Sequence, residues 1–333
     1  MNNHISILVI LIVDVSVVLL LNSHVGLCSC YNRIFSFGDD TMDTGNFIHL
    51  IGKAPSKYKE APYGKTFFRH ATGRISDGRV LIDFYAEALK LPMIPPILPE
   101  KNFGCFPHGA NFAVFGATAR GKVFFSGSPW CIGTQMYWFD QLVDRIAPGD
   151  GKPPKDGNII SDVIADISHF IEELIVVNGA KAFVVANNFP VGCLASYLSR
   201  FHSDDHEDYD EHGCLKSFNE FSQKHNEQLY SAIGQIRYSY PNVKVIYADY
   251  YNATMEFIKK PSRFGIGDPL VACCGGNGPY HTSMECNGTA KLWGDPHHFA
   301  NWDGMHMTEK AYNIIMEGVL NGPFADPPFP LSC

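Results

Sequence analysis

The chain has 333 residues, 46% of them hydrophobic and 18% charged, with a formal net charge of -8. That is the composition of an ordinary globular protein and enough chain for one large domain or two small ones. The acidic balance offers no basic surface for a polyanion, which sets nucleic acid aside as a partner, and no heptads, internal repeats or low-complexity tracts are visible.

The N-terminus is apolar from Ile5 to Leu21 apart from Ser6, Asp14 and Ser16, and small or short residues follow between Gly26 and Ser29. This pattern predicts a cleaved secretory signal over 1–28, with the mature chain starting between Ser29 and Tyr31. The n-region lacks Lys and Arg, and the run approaches spanning length, so an uncleaved signal anchor is the alternative. No later segment is long and apolar enough to span a bilayer. Ten cysteines suit the oxidising compartment that such a leader implies. Cys28 and Cys30 straddle the cleavage region. Cys193 with Cys214, Cys273 or Cys274 with Cys286, and Cys105 with Cys131 are candidate pairs, and free thiols remain the alternative for several of them. Asn252-Ala253-Thr254 and Asn287-Gly288-Thr289 are glycosylation sequons, at Asn252 and Asn287, for a secreted chain.

Along the chain, Arg33 to Phe37 is a short strand that runs into the turn Gly38-Asp39-Asp40. Asp43 to Asn46 build a turn and cap the segment after it. Arg74 to Arg79 form a structural turn before a helix over Val80 to Leu89, and Asn111 to Val114 are a short extended run. Ala182 to Val185 and Val243 to Ala248 are β-branched strands. Apolar residues recur at helical spacing from Ile159 to Ile175 and from Leu215 to Ile236, and Thr308 opens a last helix whose apolar face includes Ile314, Ile315 and Val319. Strands separated by helices predict an α/β fold with a mostly parallel sheet covered on both faces. Its site then lies at the carboxyl ends of the strands, where Gly38-Asp39-Asp40 and the loop Ala186 to Gly192 fall.

After the Ile34 to Asn46 stretch, Asp303-Gly304-Met305-His306 is the second strong motif. In an acyl-transfer site a histidine takes the nucleophile's proton and returns it to the leaving group, while a carboxylate fixes its tautomer and stabilises the imidazolium. A spacing of three at a loop-to-helix junction lets the carboxylate fold back to the ring. Other candidates have blander readings. His297-His298 with Asp40 suggests a metal pair, but adjacent histidines point apart on most backbones, and no CxxC or clustered Cys/His spacing occurs. Tyr58, Tyr63, Phe67 and Phe68 either line an acyl or sugar cleft or pack in the core. Ser203 to Asp208 is an acidic solvated loop, with calcium binding as a distant second.

Phe37-Gly38-Asp39 with Asp43-Thr44-Gly45-Asn46, Gly109 to Ala113 with Gly116-Ala117, Asn188 to Cys193, Cys273 to Gly276, and Trp302 to His306 with Thr308-Glu309 occur in one order along nearly the whole chain. Together they resemble the plant GDSL-type lipases and esterases of the SGNH hydrolase superfamily. The resemblance implies a single domain over 31–328 with an α/β/α sandwich and a flavodoxin-like sheet. It also implies an extracellular location in the cell wall or apoplast, no cofactor, and carboxylic-ester substrates such as acyl lipids, acetylated wall polysaccharides or phenolic esters. Carried over by motif, His306 is the base, Asp303 its orienting partner and Gly116 the glycine whose N–H helps bind the oxyanion.

Two positions depart from that pattern. Asp40 occupies the place of the nucleophilic serine. The second oxyanion donor, an asparagine in a Gly-Gly-Asn-Asp segment, is not found between Trp138-Phe139 and the helix at Ile159. Asn187-Asn188 belongs to the next segment, and Asn277 stands out of order. The interval Asp140 to Asn158 is also too short for the strand that precedes this helix in the family, so the sheet is expected to lack one interior strand, by splicing or deletion near Gly149 to Lys152. An ionised Asp40 offers His306 no proton to remove and sets negative charge beside a developing oxyanion. Three outcomes are open: an impaired ester hydrolase, a catalytically dead relative that binds an acylated ligand or partner, and a non-functional truncation.

Overall fold

The computed structural model describes residues 17–21, 31, 33–98, 106–119, 131–143 and 159–330. The joint expected near Gly149, and the cysteines Cys28, Cys30 and Cys105, lie outside the described residues. In chain order the elements are β1 (Val17–Leu21), β2 (Arg33–Phe37), α1 (Asn46–Leu50), α2 (Leu81–Ala88), α3 (Ile132–Val143), α4 (Ile159–Val176), β3 (Ala182–Ala186), α5 (Ala195–Arg200), α6 (Lys216–Ser239), β4 (Lys244–Ala248), α7 (Tyr250–Lys259), β5 (Cys274–Gly275), β6 (Lys291–Leu292), α8 (Glu309–Leu320) and β7 (Ala325–Asp326). The helix and strand positions read from periodicity agree with these bounds to within a few residues.

Five strands form one sheet in the order β2-β1-β3-β4-β7, and β5 pairs with β6 separately. β3 and β4 are parallel, joined through the long α6 crossover. β1 is antiparallel to both of its neighbours, and β7 is antiparallel to β4. The sheet is therefore mixed where a mostly parallel one was expected. The connection from β1 to β2 explains part of this: residues 22–32 are fewer than a helical crossover requires, so sequential neighbours pair antiparallel. β1 also stands in the interior of the sheet, between β2 and β3, where a strand was expected to be lacking.

Alternate strand residues serve two cores, as the two-residue period of a strand dictates. Ile34, Val184 and Ile246 face the cluster made with α2, α7 and α8. Phe35, Phe37, Phe183, Val185 and Val245 face the cluster made with α3, α4 and α6. This is a three-layer α/β/α arrangement, and its strands are apolar on both faces because both faces are covered.

The outer edge of β2 is used by the run that follows His108. Ile34 donates to the His108 carbonyl at 2.9 Å, Ser36 donates to Ala110 at 3.1 Å, and Phe112 donates to Ser36 at 2.6 Å. The close approach is possible because Gly109, at φ 97°, has no Cβ; one placed there would stand 1.7 Å from the Ile34 oxygen. The Arg74 to Arg79 turn is structural, as expected. Arg74 clasps Asp83 of α2 through two hydrogen bonds of 2.7 Å, and Asp77 accepts the backbone N–H of Glu309 at 2.8 Å, which docks the start of α8. Thr308 caps α8, its hydroxyl accepting from Ala311 at 3.1 Å.

Two of the candidate disulfides form, Cys193–Cys214 and Cys274–Cys286. Cys273, the alternative partner, is a buried free thiol whose pKa burial pushes up to about 12. Cys131 is likewise a free thiol.

Candidate active site

β2 delivers the Gly38-Asp39-Asp40 turn to the carboxyl end of the sheet, and the loop before α8 delivers Asp303 and His306 to the same place. Asp40 Oδ2 lies 2.9 Å from His306 Nε2. On the other side of the ring, Asp303 Oδ2 lies 2.8 Å from His306 Nδ1. The three side chains thus form one line, carboxylate to imidazole to carboxylate, and the residues that the sequence singled out are brought together. The His306 side chain is 6% exposed, whereas that of Asp40 is 21% exposed.

Asp303 is held from several directions. It accepts backbone N–H bonds from Met305 at 3.1 Å and His306 at 2.9 Å, and the Tyr63 hydroxyl donates to it at 2.9 Å. Burial works to raise its pKa, but the charged His306 and the backbone N–H groups of His306 and Met305 prevail and hold it at about 2. For His306 burial works the other way, against the charged ring. Asp303 and Asp40 together outweigh it and raise the pKa to about 10. His306 is accordingly an imidazolium at neutral pH, with both ring nitrogens committed as donors. A histidine in that state has no lone pair with which to take a proton.

The surrounding loops fix this geometry. Asp43 lies under the turn and accepts from Gly45 at 2.7 Å, Asn46 at 2.6 Å, Phe47 at 3.0 Å and Phe115 at 3.0 Å. It joins the Asp40 turn to the loop that carries Gly116. Asn46 braces the same loops, its Nδ2 donating to Asn111 O at 2.7 Å and Ala113 O at 2.9 Å. Gly116 adopts φ 69° beside Phe115, whose ring centroid is 6.0 Å from that of His306. The Thr41 hydroxyl, the nearest one in sequence to the nucleophile position, donates to Asp39 at 2.7 Å and is committed there.

One positioning residue was missed by sequence reasoning. The buried side chain of Gln135 in α3 accepts from Gly38 N at 2.8 Å and donates to Gly38 O at 2.8 Å, gripping both backbone groups just before Asp40. The only signal was a polar residue on the face that carries Ile132, Met136 and Phe139. Of the four aromatic candidates, Tyr58 and Tyr63 belong to the site. The Tyr58 ring stands edge-on to His306 with centroids 6.5 Å apart. Phe67 and Phe68 instead lie under Arg79 and Arg74 at 4.4 and 4.7 Å.

The remaining candidates lie elsewhere. Asn187 is not available to an oxyanion, since its Nδ2 donates to Tyr247 at 2.7 Å and Asp249 at 2.8 Å. His298 Nδ1 bonds the Gly265 carbonyl at 3.0 Å, and among the described residues no group of three His, Cys, Asp or Glu could hold a metal ion. In the acidic loop Asp205 accepts from Glu207 at 2.9 Å, a local turn. Asn252 is exposed in α7, while Thr254 of its sequon is buried; Asn287 sits in a loop turn and accepts from the Thr289 hydroxyl at 2.8 Å. Among the described residues no helix is long and apolar enough to cross a membrane.

The GDSL-like lipase/acylhydrolase family model matches residues 34–319, which includes Asp40, Asp303 and His306. GDSL esterase/lipase At2g27360 of Arabidopsis thaliana is 39% identical over 351 residues, covering 92% of this chain and 88% of that one. A sinapine esterase of Brassica napus is 37% identical over 349 residues, covering 92% and 89%. GDSL esterase/lipase At1g28670 of Arabidopsis thaliana is 35% identical over 367 residues, covering 97% and 95%. With the motifs, their order and the meeting of His306 with Asp303 all in agreement, this chain belongs to the GDSL-like lipase/acylhydrolase family.

Proposed function

We propose that this protein is a secreted GDSL-type ester-binding relative in which acyl transfer is shut down. The observation that carries the reading is the closed line Asp40–His306–Asp303, with 2.9 Å on one side of the ring and 2.8 Å on the other. Asp40 has no hydroxyl to be activated. Its charge holds His306 protonated, and that charge repels the negative oxygen an ester carbonyl would develop. Loss of a serine nucleophile alone costs on the order of 10⁶ in kcat in subtilisin, so residual ester turnover here is at background. The ligand class is a carboxylic ester, in keeping with the family and with a relative named for its esterase activity, and the rings of Tyr58 and Phe115 stand beside His306 where it would bind. Secretion to the cell wall or apoplast, with sugar on Asn287 and Asn252, is part of the same proposal, supported by two disulfides that need an oxidising compartment. The two buried cores around β3 and β4 favour a folded binding protein over a non-functional truncation.

The test is to secrete the wild type, Asp40→Ser and His306→Ala and to assay all three on a short-chain chromogenic ester. Wild type and His306→Ala should be indistinguishable, and Asp40→Ser should rise above both. Wild-type turnover clearly above His306→Ala would overturn the reading.

A further inference from the structure

A cleft of about 310 Å³ lies where β3 and β4 end. Gln223, Glu227 and Tyr230 line it from α6, Asn187 and Asp249 from the strand ends, and Asn252 from the first turn of α7. None of these residues belongs to the Asp40–His306–Asp303 line. The volume is at the low end of ligand-sized pockets, which run from about 300 to 1,000 Å³. It has room for one sugar ring and too little for an extended chain.

The lining combines aromatic rings with fixed polar groups. The Tyr230 and Tyr247 rings meet edge to face with centroids 5.1 Å apart, and Tyr230 is 48% exposed. Beside them Asn187 Nδ2 donates to Tyr247 at 2.7 Å and to Asp249 at 2.8 Å, and Gln223 donates to the Tyr251 hydroxyl at 2.8 Å. No Lys or Arg is among the described residues that line the cleft, so an anion finds no counter-charge there. A neutral polyol fits: the C–H face of a sugar ring packs on an exposed tyrosine, and its hydroxyls bond to a carboxylate such as Glu227 and to the amides.

Asn252 brings such a ring to the cleft through its own sequon. Asp249 caps α7, accepting from Asn252 N at 3.0 Å and from Asn252 Nδ2 at 2.6 Å. Glycosylation replaces one Nδ2 hydrogen by a sugar carbon and leaves the other for Asp249. Thr254, the third residue of the sequon, is 1% exposed, and its hydroxyl has no hydrogen-bond partner among the described residues. A buried hydroxyl without a partner destabilises the fold, and a valine would fill the same space without that cost. The use left for the hydroxyl is in the sequon, which is read before the chain folds and buries it. At the other sequon Thr289 donates to Asn287 Oδ1 at 2.8 Å, so its hydroxyl already serves a turn.

We propose that Asn252 carries a glycan and that the cleft between α6 and α7 seats its first sugar, an N-acetylhexosamine, against Tyr230 and Glu227. This deepens the reading of a secreted, glycosylated protein and rests on it, but it is independent of whether Asp40 supports turnover. The sugar comes from a lipid-linked diphosphate donor. Asn252 Nδ2 bonds to the sugar C1 as the C1–O bond breaks, the diphosphate leaves with that electron pair, and one Nδ2 proton passes to solvent.

The full chain is secreted from a eukaryotic host, and occupancy of Asn252 is read by glycopeptide mass spectrometry. Release of the glycan by a glycoamidase, which cuts the sugar–asparagine bond, is timed on the folded protein and on the glycopeptide freed by digestion. The expected result is an occupied Asn252 whose glycan leaves the folded wild type about 10-fold more slowly than it leaves folded Tyr230→Ala or Glu227→Ala, with the three glycopeptides alike. Both side chains are exposed, so both variants should keep a cooperative melt. Release at one rate from all three folded proteins overturns the seat and leaves the glycosylation standing. A bare Asn252 overturns the seat together with the glycosylation on which it rests, and N-acetylglucosamine titrated against that bare protein by NMR then tells whether the cleft takes a free saccharide instead.

Discussion

Asp40→Asn is the most direct probe of the site, because it keeps the shape of the side chain and removes only its charge. The His306 pKa of about 10 lies ~3.5 pH units above the ordinary imidazole value of 6.5, equivalent to ~5 kcal/mol of net preference for the charged ring at about 1.4 kcal/mol per unit. Two carboxylates at nearly equal range supply it, and an opposite charge at such a distance moves a pKa by about 1–3 units. Removing one should therefore bring His306 down to between roughly 7 and 9, with Asp303 still holding it above 6.5. Histidine-labelled protein followed by NMR from pH 5 to 11 reads this directly, with His306→Ala assigning the resonance. Asp40→Asn should also remain inactive on esters, since an amide is no better a nucleophile, and this separates the charge from the missing hydroxyl. A wild-type His306 that titrates at or below 6.5, or one that Asp40→Asn leaves unmoved, refutes the carboxylate–imidazolium–carboxylate account.

Two more outcomes follow from the same physics. The folded state raises the His306 pKa, so this group's stabilisation is complete below about 6.5 and fades as pH rises through about 10; urea unfolding should show stability falling between pH 7 and 10.5 by up to ~5 kcal/mol, and falling less in Asp40→Asn, whereas equal slopes in the two proteins would contradict the assignment. Arg74→Leu leaves the fully buried Asp83 carboxylate without its partner and should cost about 3–5 kcal/mol in denaturant unfolding, with Arg74→Leu/Asp83→Leu recovering much of the loss; a single-variant cost below ~1 kcal/mol would show that the pair is not what fixes the turn to α2.

Much of the candidate site was legible because its chemistry is local in sequence. Asp303 and His306 sit three residues apart, and the carboxylate folds back onto the following N–H groups, a geometry that short-range backbone rules almost enforce. The hydrophobic periods of α4, α6, β3 and β4 were equally readable, since burial on one stripe or on both faces leaves a pattern in the chain itself. Gln135 was not legible. Its role depends on α3 crossing behind Gly38, a contact 97 residues away in sequence, and an isolated glutamine carries no mark of it.

By itself the sequence determined the residue types available to the site, the aspartate at residue 40, and the layered α/β order of elements. It left Cys273 and Cys274 equal as partners for Cys286; only the tertiary fold, by turning one sulfur toward Cys286 and the other toward the Gly294 carbonyl, chose Cys274. It supplied Asp40 and His306 far apart along the chain, and only strand β2 and the loop before α8 set them 2.9 Å apart as a charged pair. The N-terminal run marks the limit most clearly. A stretch of Val and Leu has the same composition whether it is a leader or an interior strand of a sheet, because hydrophobicity records the need to leave water and not the place where the segment goes. That place, between β2 and β3, was decided by the two strand edges left to be paired there.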